Sequence, residues 1–323
     1  MPEGPWIAGI DVGGTGVRLA LAPAATPVLT TTRSVELAVP GRVTAAGRDA
    51  DGVLAAALPA LAELLRQVPG GQLAAVAVGA AGMALLGAEL AAKLPGPLAA
   101  ATGARRLALA GDAVTAHIGA LGTRSGVTVA GGTGLVALGV HPERGWHRAD
   151  GWGQLLGDCG SGAWIGRAGL EAALRAHDGR PGGSPALLAA ARTRFGPPEG
   201  LPAALTGRPD RAALLAGFAP DVAGAAGAGD PVAAAVLEGA AEEIAATAAA
   251  AAAGLDSPRV ALTGGLFRLP GLPEAVHDRL PSHRRHTPDG PPLLGALRLA
   301  AACAGPAPLP WPPAPPLLTV LEV

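Results

Sequence analysis

Apolar positions along the 323-residue chain fall into short runs punctuated by glycine. "WIAGI" from Trp6 and the alternating "VRLALA" from Val17 flank "DVGGTG", which predicts two strands joined by a glycine turn. Residues 51–67, "DGVLAAALPALAELLRQ", carry helical spacing, and "LAAVAVGAAGM" from Leu73 predicts a buried strand ending in small residues. "RRLALAGDAVTAHIGAL" repeats the theme, with a strand from Arg106 to Ala110, Asp112 at the junction and a helix through about Leu121. "GVTVAGGTGLVALGV" then sets two β-type runs around a Gly-Gly-Thr-Gly turn, so the first hairpin is echoed. Further along, residues 164–177 and 232–253 predict helices. The alanine run "EEIAATAAAAAAGL" lies within the second, with acids at its start and Gly254 at its end. "RVALTGGLF" predicts a strand running into a glycine pair, "PPLLGALRLAAAC" a last helix, and "GPAPLPWPPAPP" a proline-rich tail.

Alternation of strand and helix predicts an α/β protein, and the echo of the first hairpin predicts two halves. The length suits two domains, each with its own core. The expected division is 1–117, 118–303 and a tail at 304–323.

Composition narrows the partner. The formal net charge is −1 and charged residues make up 15%, so no electrostatic footprint for nucleic acid or an anionic membrane stands out. A small-molecule partner is expected instead. "MPEGPW" lacks the basic and apolar regions of a secretory signal, and no stretch offers about 18 uninterrupted apolar residues. A cytoplasmic location is therefore expected. Cys159 and Cys303 are too few and too far apart for a disulfide scaffold or a CxxC metal site.

Three glycine turns beside apolar strands, at Asp11–Gly16, Gly131–Gly134 and Thr263–Gly265, offer backbone amides of the kind that cradle phosphate. A Walker P-loop is excluded, because it needs a lysine after the turn and the only lysine is Lys93, in "AAKLPG". Gly132, Gly134 and Ala137 satisfy a dinucleotide fingerprint, but "LVALGVHPERG" is β-like where that fold needs a helix. Asp112, between strand and helix, suits either a general base aimed into a cleft or a helix cap. The segment "GWGQLLGDCGSGAWIG", from Gly151 to Gly166, holds six glycines, which suits close approach to a ligand rather than core filling. Trp164 has core spacing. The histidines of "SHRRH", with His277 nearby, read as a solvated basic loop more readily than as a metal trap.

"GIDVGGTGVR", "GDAVTAH", "VAGGTG", "GWGQLLGDCGSGAWIGR" and "VALTGGLF", in this order, resemble the sugar kinases and ATPases of the actin, Hsp70 and hexokinase superfamily. Within it the chain is most similar to the group joining N-acetylglucosamine kinases with the BadF/BadG/BcrA/BcrD ATPases. The resemblance spans nearly the whole chain and implies two ribonuclease H-like, actin-like ATPase domains with a cleft between them. It implies ATP and Mg2+ as cofactors, with Asp11 orienting the magnesium through water. Gly13, Gly14 and Thr15 would form the first phosphate turn, Thr133 and Gly134 the second, and Gly264 and Gly265 would lie against adenosine. Asp112 would be the catalytic base. Gly151, Trp152, Gly153 and Asp158 would bind the sugar, Asp158 accepting hydroxyl hydrogens.

The implied activity is transfer of the γ-phosphate of ATP to an amino sugar, N-acetylglucosamine first, to give the 6-phosphate. A homodimer is also implied. Relatives carry an acid where Cys159 stands, often a serine at Leu135, and a sugar-binding asparagine in a region that here offers Arg42 as its nearest polar candidate. These departures bear on which sugar is bound. The alternatives are a BadF-type ATPase that activates or regulates a partner protein, and a non-catalytic sugar or nucleotide sensor.

Overall fold

The first hairpin forms as the alternation requires. In a computed structural model that describes residues 4–13, 16–29, 33–38, 43–44, 47–68, 70–141, 144–312 and 314–323, β1 (Trp6–Val12) pairs antiparallel with β2 (Gly16–Pro23). β2 pairs antiparallel with β3 (Arg33–Ala38), and a two-stranded ribbon, β4 (Val43–Thr44) with β5 (Gly47–Arg48), follows. Helix α1 (Ala50–Leu65) starts where the Asp49 side chain accepts the Gly52 N–H at 2.9 Å. It buries Ala50, Val53, Ala57, Leu61 and Leu64, the one-sided spacing expected of a helix laid on a core.

β6 (Leu73–Ala80) then runs parallel to β1. After the short helices α2 (Met83–Leu86), α3 (Ala88–Lys93) and α4 (Pro95–Thr102), β7 (Arg106–Gly111) runs parallel to β6 and leads into α5 (Asp112–Leu121).

The second half repeats the plan. β8 (Gly126–Gly131) turns into β9 (Leu135–His141), and β10 (Gly145–Asp150) lies beside β9. A helical stretch follows: α6 (Gly162–His177), α7 (Pro185–Phe195), α8 (Leu201–Leu205), α9 (Arg211–Ala216), α10 (Ala219–Gly227) and α11 (Pro231–Ala251). β11 (Arg259–Thr263) then pairs parallel with β8. Helix α12 (Leu272–Asp278) leads to β12 (Arg284–His286), parallel to β11. The second sheet therefore has the order β10-β9-β8-β11-β12, and the first contains the same sequence of relations in β3-β2-β1-β6-β7.

The chain divides into two units, 1–125 with 140–146 and 287–323, and 126–139 with 147–286. This differs from the division expected at 117 and 303. Helix α13 (Pro292–Ala304) belongs to the first unit and packs on β1 and α5. The backbones come so close there that a Cβ on Gly295 would collide with the Thr115 carbonyl oxygen. The expected tail also returns to this unit, because β13 (Leu318–Glu322) pairs antiparallel with β7 at the sheet edge. Pairings between residues this far apart in sequence leave no local periodic signal.

Each unit has its own core. The first gathers Ile10, Leu19, Leu61, Val76 and Leu107. The second gathers Val129, Ile165, Phe218, Ile244 and Val260. Among the described residues no helix is long and apolar enough to cross a membrane.

Candidate active site

In the first unit the strand ends bring two predicted acids together. Asp11 sits near the end of β1 opposite Gly79 of β6, and Gly79 lies opposite Ala110 of β7, two residues before Asp112. Asp11 is 5% exposed, and burial together with the negative charge of Asp112 pushes its carboxyl up to about 6 from an ordinary 3.8. Arg18, its cross-strand neighbour on β2, opposes that shift from 3.4 Å and is itself bridged to Glu36 at 2.7 Å.

Asp112 opens α5. Its Oδ1 accepts the Ala113 N–H at 2.9 Å, and its carbonyl accepts the Thr115 hydroxyl at 3.0 Å. Gly111 rather than Asp112 is the N-cap of α5, so Asp112 is not a capping residue; it stands at the first helical position, within electrostatic reach of Asp11. Gly13 follows β1 and its N–H donates to the Gly16 carbonyl at 2.9 Å. Gly14, Thr15 and Arg42 lie outside the described residues.

In the second unit the glycine turn and the glycine-rich loop form one structure. Between β8 and β9 the Gly132 N–H donates to the Gly134 carbonyl at 2.9 Å. The carbonyls of Gly132 and Thr133 accept the first N–H groups of α6, from Gly162 at 2.9 Å and Ala163 at 3.1 Å. Fully buried Ser161 caps the same helix, its hydroxyl accepting the Trp164 N–H at 3.2 Å. On the other side of Gly134 stands Asp158, close enough that a Cβ on that glycine would lie 2.5 Å from Asp158 Oδ2. Gly264, with φ of 105°, presses on Gly131, whose carbonyl oxygen a Cβ at 264 would strike. The second unit thus brings Thr133, Gly134, Asp158 and Gly264 into one neighbourhood, with Gly265 opening the short turn after Gly264.

The loop itself is held by a residue that sequence reasoning passed over. Asp150, at the end of β10, accepts the Asp158 N–H at 2.8 Å on Oδ1 and the Cys159 N–H at 2.9 Å on Oδ2. Asp158 in turn accepts the Gly153 N–H at 3.1 Å. The only sequence signal was an acid directly before "GWG".

Gly151 takes φ of 77°, and its carbonyl accepts from Arg148 Nη2 at 2.9 Å. Trp152 is 61% exposed with the Arg148 guanidinium 4.7 Å from its ring centroid, so it is not a core tryptophan. Trp164 packs against the core of its unit, and Leu135 is buried in that core. Partial burial first, then nearby Asp150, raises the Cys159 thiol above its ordinary range, which keeps it protonated and poorly nucleophilic. Among the described residues no three His, Cys, Asp or Glu side chains gather as a metal cluster.

A profile of the BadF/BadG/BcrA/BcrD ATPase family matches residues 8–292, which include both sheets up to β12 and every candidate site residue. The chain belongs to this family. The N-acetylmuramic acid/N-acetylglucosamine kinase of Clostridium acetobutylicum is 37% identical over 75 residues, 23% of this chain and 24% of that protein. The N-acetyl-D-glucosamine kinase of Dictyostelium discoideum is 44% identical over 68 residues, 21% of each. The chain thus spans about a quarter or less of the length of the curated relatives it matches. Similarity at the level of the whole fold is broader. A solved candidate N-acetylglucosamine kinase from Chromobacterium violaceum superposes with a TM-score of 0.73 at 29% identity, covering 93% of this chain and 100% of that one. The mixed α/β sheets described above are accordingly the family fold.

Proposed function

We propose that the protein is an ATP-dependent kinase that transfers the γ-phosphate to a hydroxyl of an amino sugar, with N-acetylglucosamine as first substrate and the 6-phosphate as product. The observation that carries the reading is the contact of Asp158 with Gly134. It puts a carboxylate suited to sugar hydroxyls beside a glycine turn suited to phosphate, within one unit. Family membership and the activities named for the relatives point the same way.

Phosphoryl transfer asks mainly for positioning and charge neutralisation, plus a group to accept the proton of the attacking hydroxyl. Asp112 is that acceptor in this reading. Thr133 and Gly134, with Gly13, Gly14 and Thr15, are the phosphate turns, and Gly264 with Gly265 borders adenosine. Gly151, Trp152, Gly153 and Asp158 hold the sugar.

The residues fit a magnesium ion carried with the nucleotide. Asp11 is a buried carboxylate beside a second acid, only partly compensated by Arg18, and the described residues gather no all-protein cage. Magnesium characteristically keeps several waters and binds through one or two carboxylates plus substrate phosphates. Asp11 would hold it through water, and the ion would supply charge neutralisation at the phosphates.

The test is ADP release measured across a panel of amino sugars and plain hexoses, with the phosphorylated position read by NMR. ADP release stimulated by N-acetylglucosamine, with phosphate on its 6-hydroxyl, supports the reading. ATP turnover indifferent to every sugar refutes it and leaves the partner-activating ATPase as the function to pursue.

A further inference from the structure

We infer that Asp150 is a positioning residue for the amino-sugar site, fixing where Asp158 stands. This rests on the kinase reading of the loop and adds a residue to it. Asp150 makes its bonds to loop backbone: both carboxylate oxygens are engaged by N–H groups eight and nine residues onward, so it closes residues 150–159 into a ring. A third loop amide, that of Trp152, lies 3.5 Å from Oδ1.

The ring stores unfavourable backbone geometry at the points that matter. Among the described residues only Asp150, Asp158 and Ser257 have positive φ without being glycine, and the first two, at 58° and 54°, sit at either side of this clip. Such conformations persist where surrounding bonds over-determine them, often at ligand sites. From outside, Arg148 donates to the Asp150 carbonyl from Nε at 2.9 Å and to the Gly151 carbonyl from Nη2 at 2.9 Å. The sequence of contacts therefore runs from Arg148 to Asp150 to Asp158, and from Asp158 to Gly153 and Gly134.

The consequence is a division of labour. Asp11 and Asp112 belong to the first unit and Asp150 to the second, where its side chain engages the loop that carries Asp158, the carboxylate that meets sugar hydroxyls in this reading. Losing it should release the loop and weaken sugar binding, while proton transfer and nucleotide binding persist. Asn at this position is not neutral despite its shape. One carboxylate oxygen becomes an NH2 donor, and both oxygens now face N–H groups.

The experiment is steady-state kinetics of Asp150→Asn and Asp150→Ala with ATP and the best sugar of the panel. The expected result is a rise of about tenfold to a hundredfold in the sugar KM, the scale of a misplaced binding group, with kcat and the ATP KM within about threefold of wild type. Hydrogen exchange followed on the peptide spanning residues 150–160 should show faster exchange at the amides of Asp158 and Cys159. An unchanged sugar KM in both variants overturns the inference, and so does an equal loss in sugar affinity, ATP affinity and kcat. If Asp150→Ala does not fold, Asp150→Asn carries the comparison, and Arg148→Lys should give a smaller effect with the same split. If wild type phosphorylates no amino sugar, the kinase reading fails on its own. The exchange comparison then still decides whether Asp150 holds the loop.

Discussion

Replacing Asp11 by Asn should make the ligand-free protein more stable at neutral pH while removing phosphoryl transfer. Asp11 is almost fully buried, and its carboxyl is raised from 3.8 to about 6 by that burial and by Asp112. The folded state therefore holds the proton more tightly than the unfolded chain. Stability from this group is fully present below pH 3.8 and is lost as pH rises through 6. A shift of about two units at ~1.4 kcal/mol each makes the ionised carboxylate cost about 3 kcal/mol above pH 7. Asn removes that cost. It also removes Arg18's long contact, a half-exposed pair worth roughly 0–1 kcal/mol, which leaves a net gain of about 2 kcal/mol. At pH 4.5 the wild-type carboxyl is protonated when folded, and the charge penalty shrinks to about a third. Urea unfolding of both proteins at pH 7.5 and pH 4.5, without nucleotide, measures the gap directly, since other titrating groups cancel in the difference. Equal stabilities at pH 7.5, or a gap that does not narrow on acidification, would refute the reasoning.

Three further substitutions test separate parts of the site. Asp112→Asn keeps the oxygen that accepts the Ala113 N–H, so the fold should hold while kcat falls by about 10²–10⁴, with sugar KM changed little in the same assay. Gly134→Ala places a methyl group 2.5 Å from Asp158 Oδ2; kcat/KM for the sugar should fall at least tenfold by steady-state kinetics, with thermal unfolding nearly unchanged because the carboxylate can yield. Gly295→Ala drives a methyl group into the backbone of α5 at Thr115, one turn after Asp112; it should cost about 2 kcal/mol or more in urea unfolding.

Local pattern carried the elements that local sequence determines. The hairpins around "DVGGTG" and "AGGTG", the strand ending just before Asp112 and the helix after "GDCGS" were all legible, because apolar alternation, glycine turns and helical spacing act over a few residues. The division into units was not. Helix α13 and strand β13 join β1, α5 and β7 across most of the chain, and "GPAPLPWPPAPP" disguised the short alternating strand that follows it. Strand β10, "GWHRAD", was missed because it is polar and only half buried, and Asp150 at its end went unnoticed with it. Asp158 could be picked out by its motif. Its support could not, since an acid eight residues away becomes a neighbour only once the loop closes.

The return of residues 287–323 to the first unit also sets an order of assembly during synthesis. β1 and α5 are made early, yet the helix that covers them begins only at Pro292. The 170 residues between Leu121 and Pro292 take about 10–35 s to translate at typical rates. By the end of that interval the second unit, whose segments end at His286, is complete in sequence while the first still lacks α13 and β13. The acids at 11 and 112 therefore gain their finished scaffold last, and a ribosome that stalls before Pro292 leaves a chain with the segment of the Asp150–Cys159 loop already made and the apolar back of β1 uncovered.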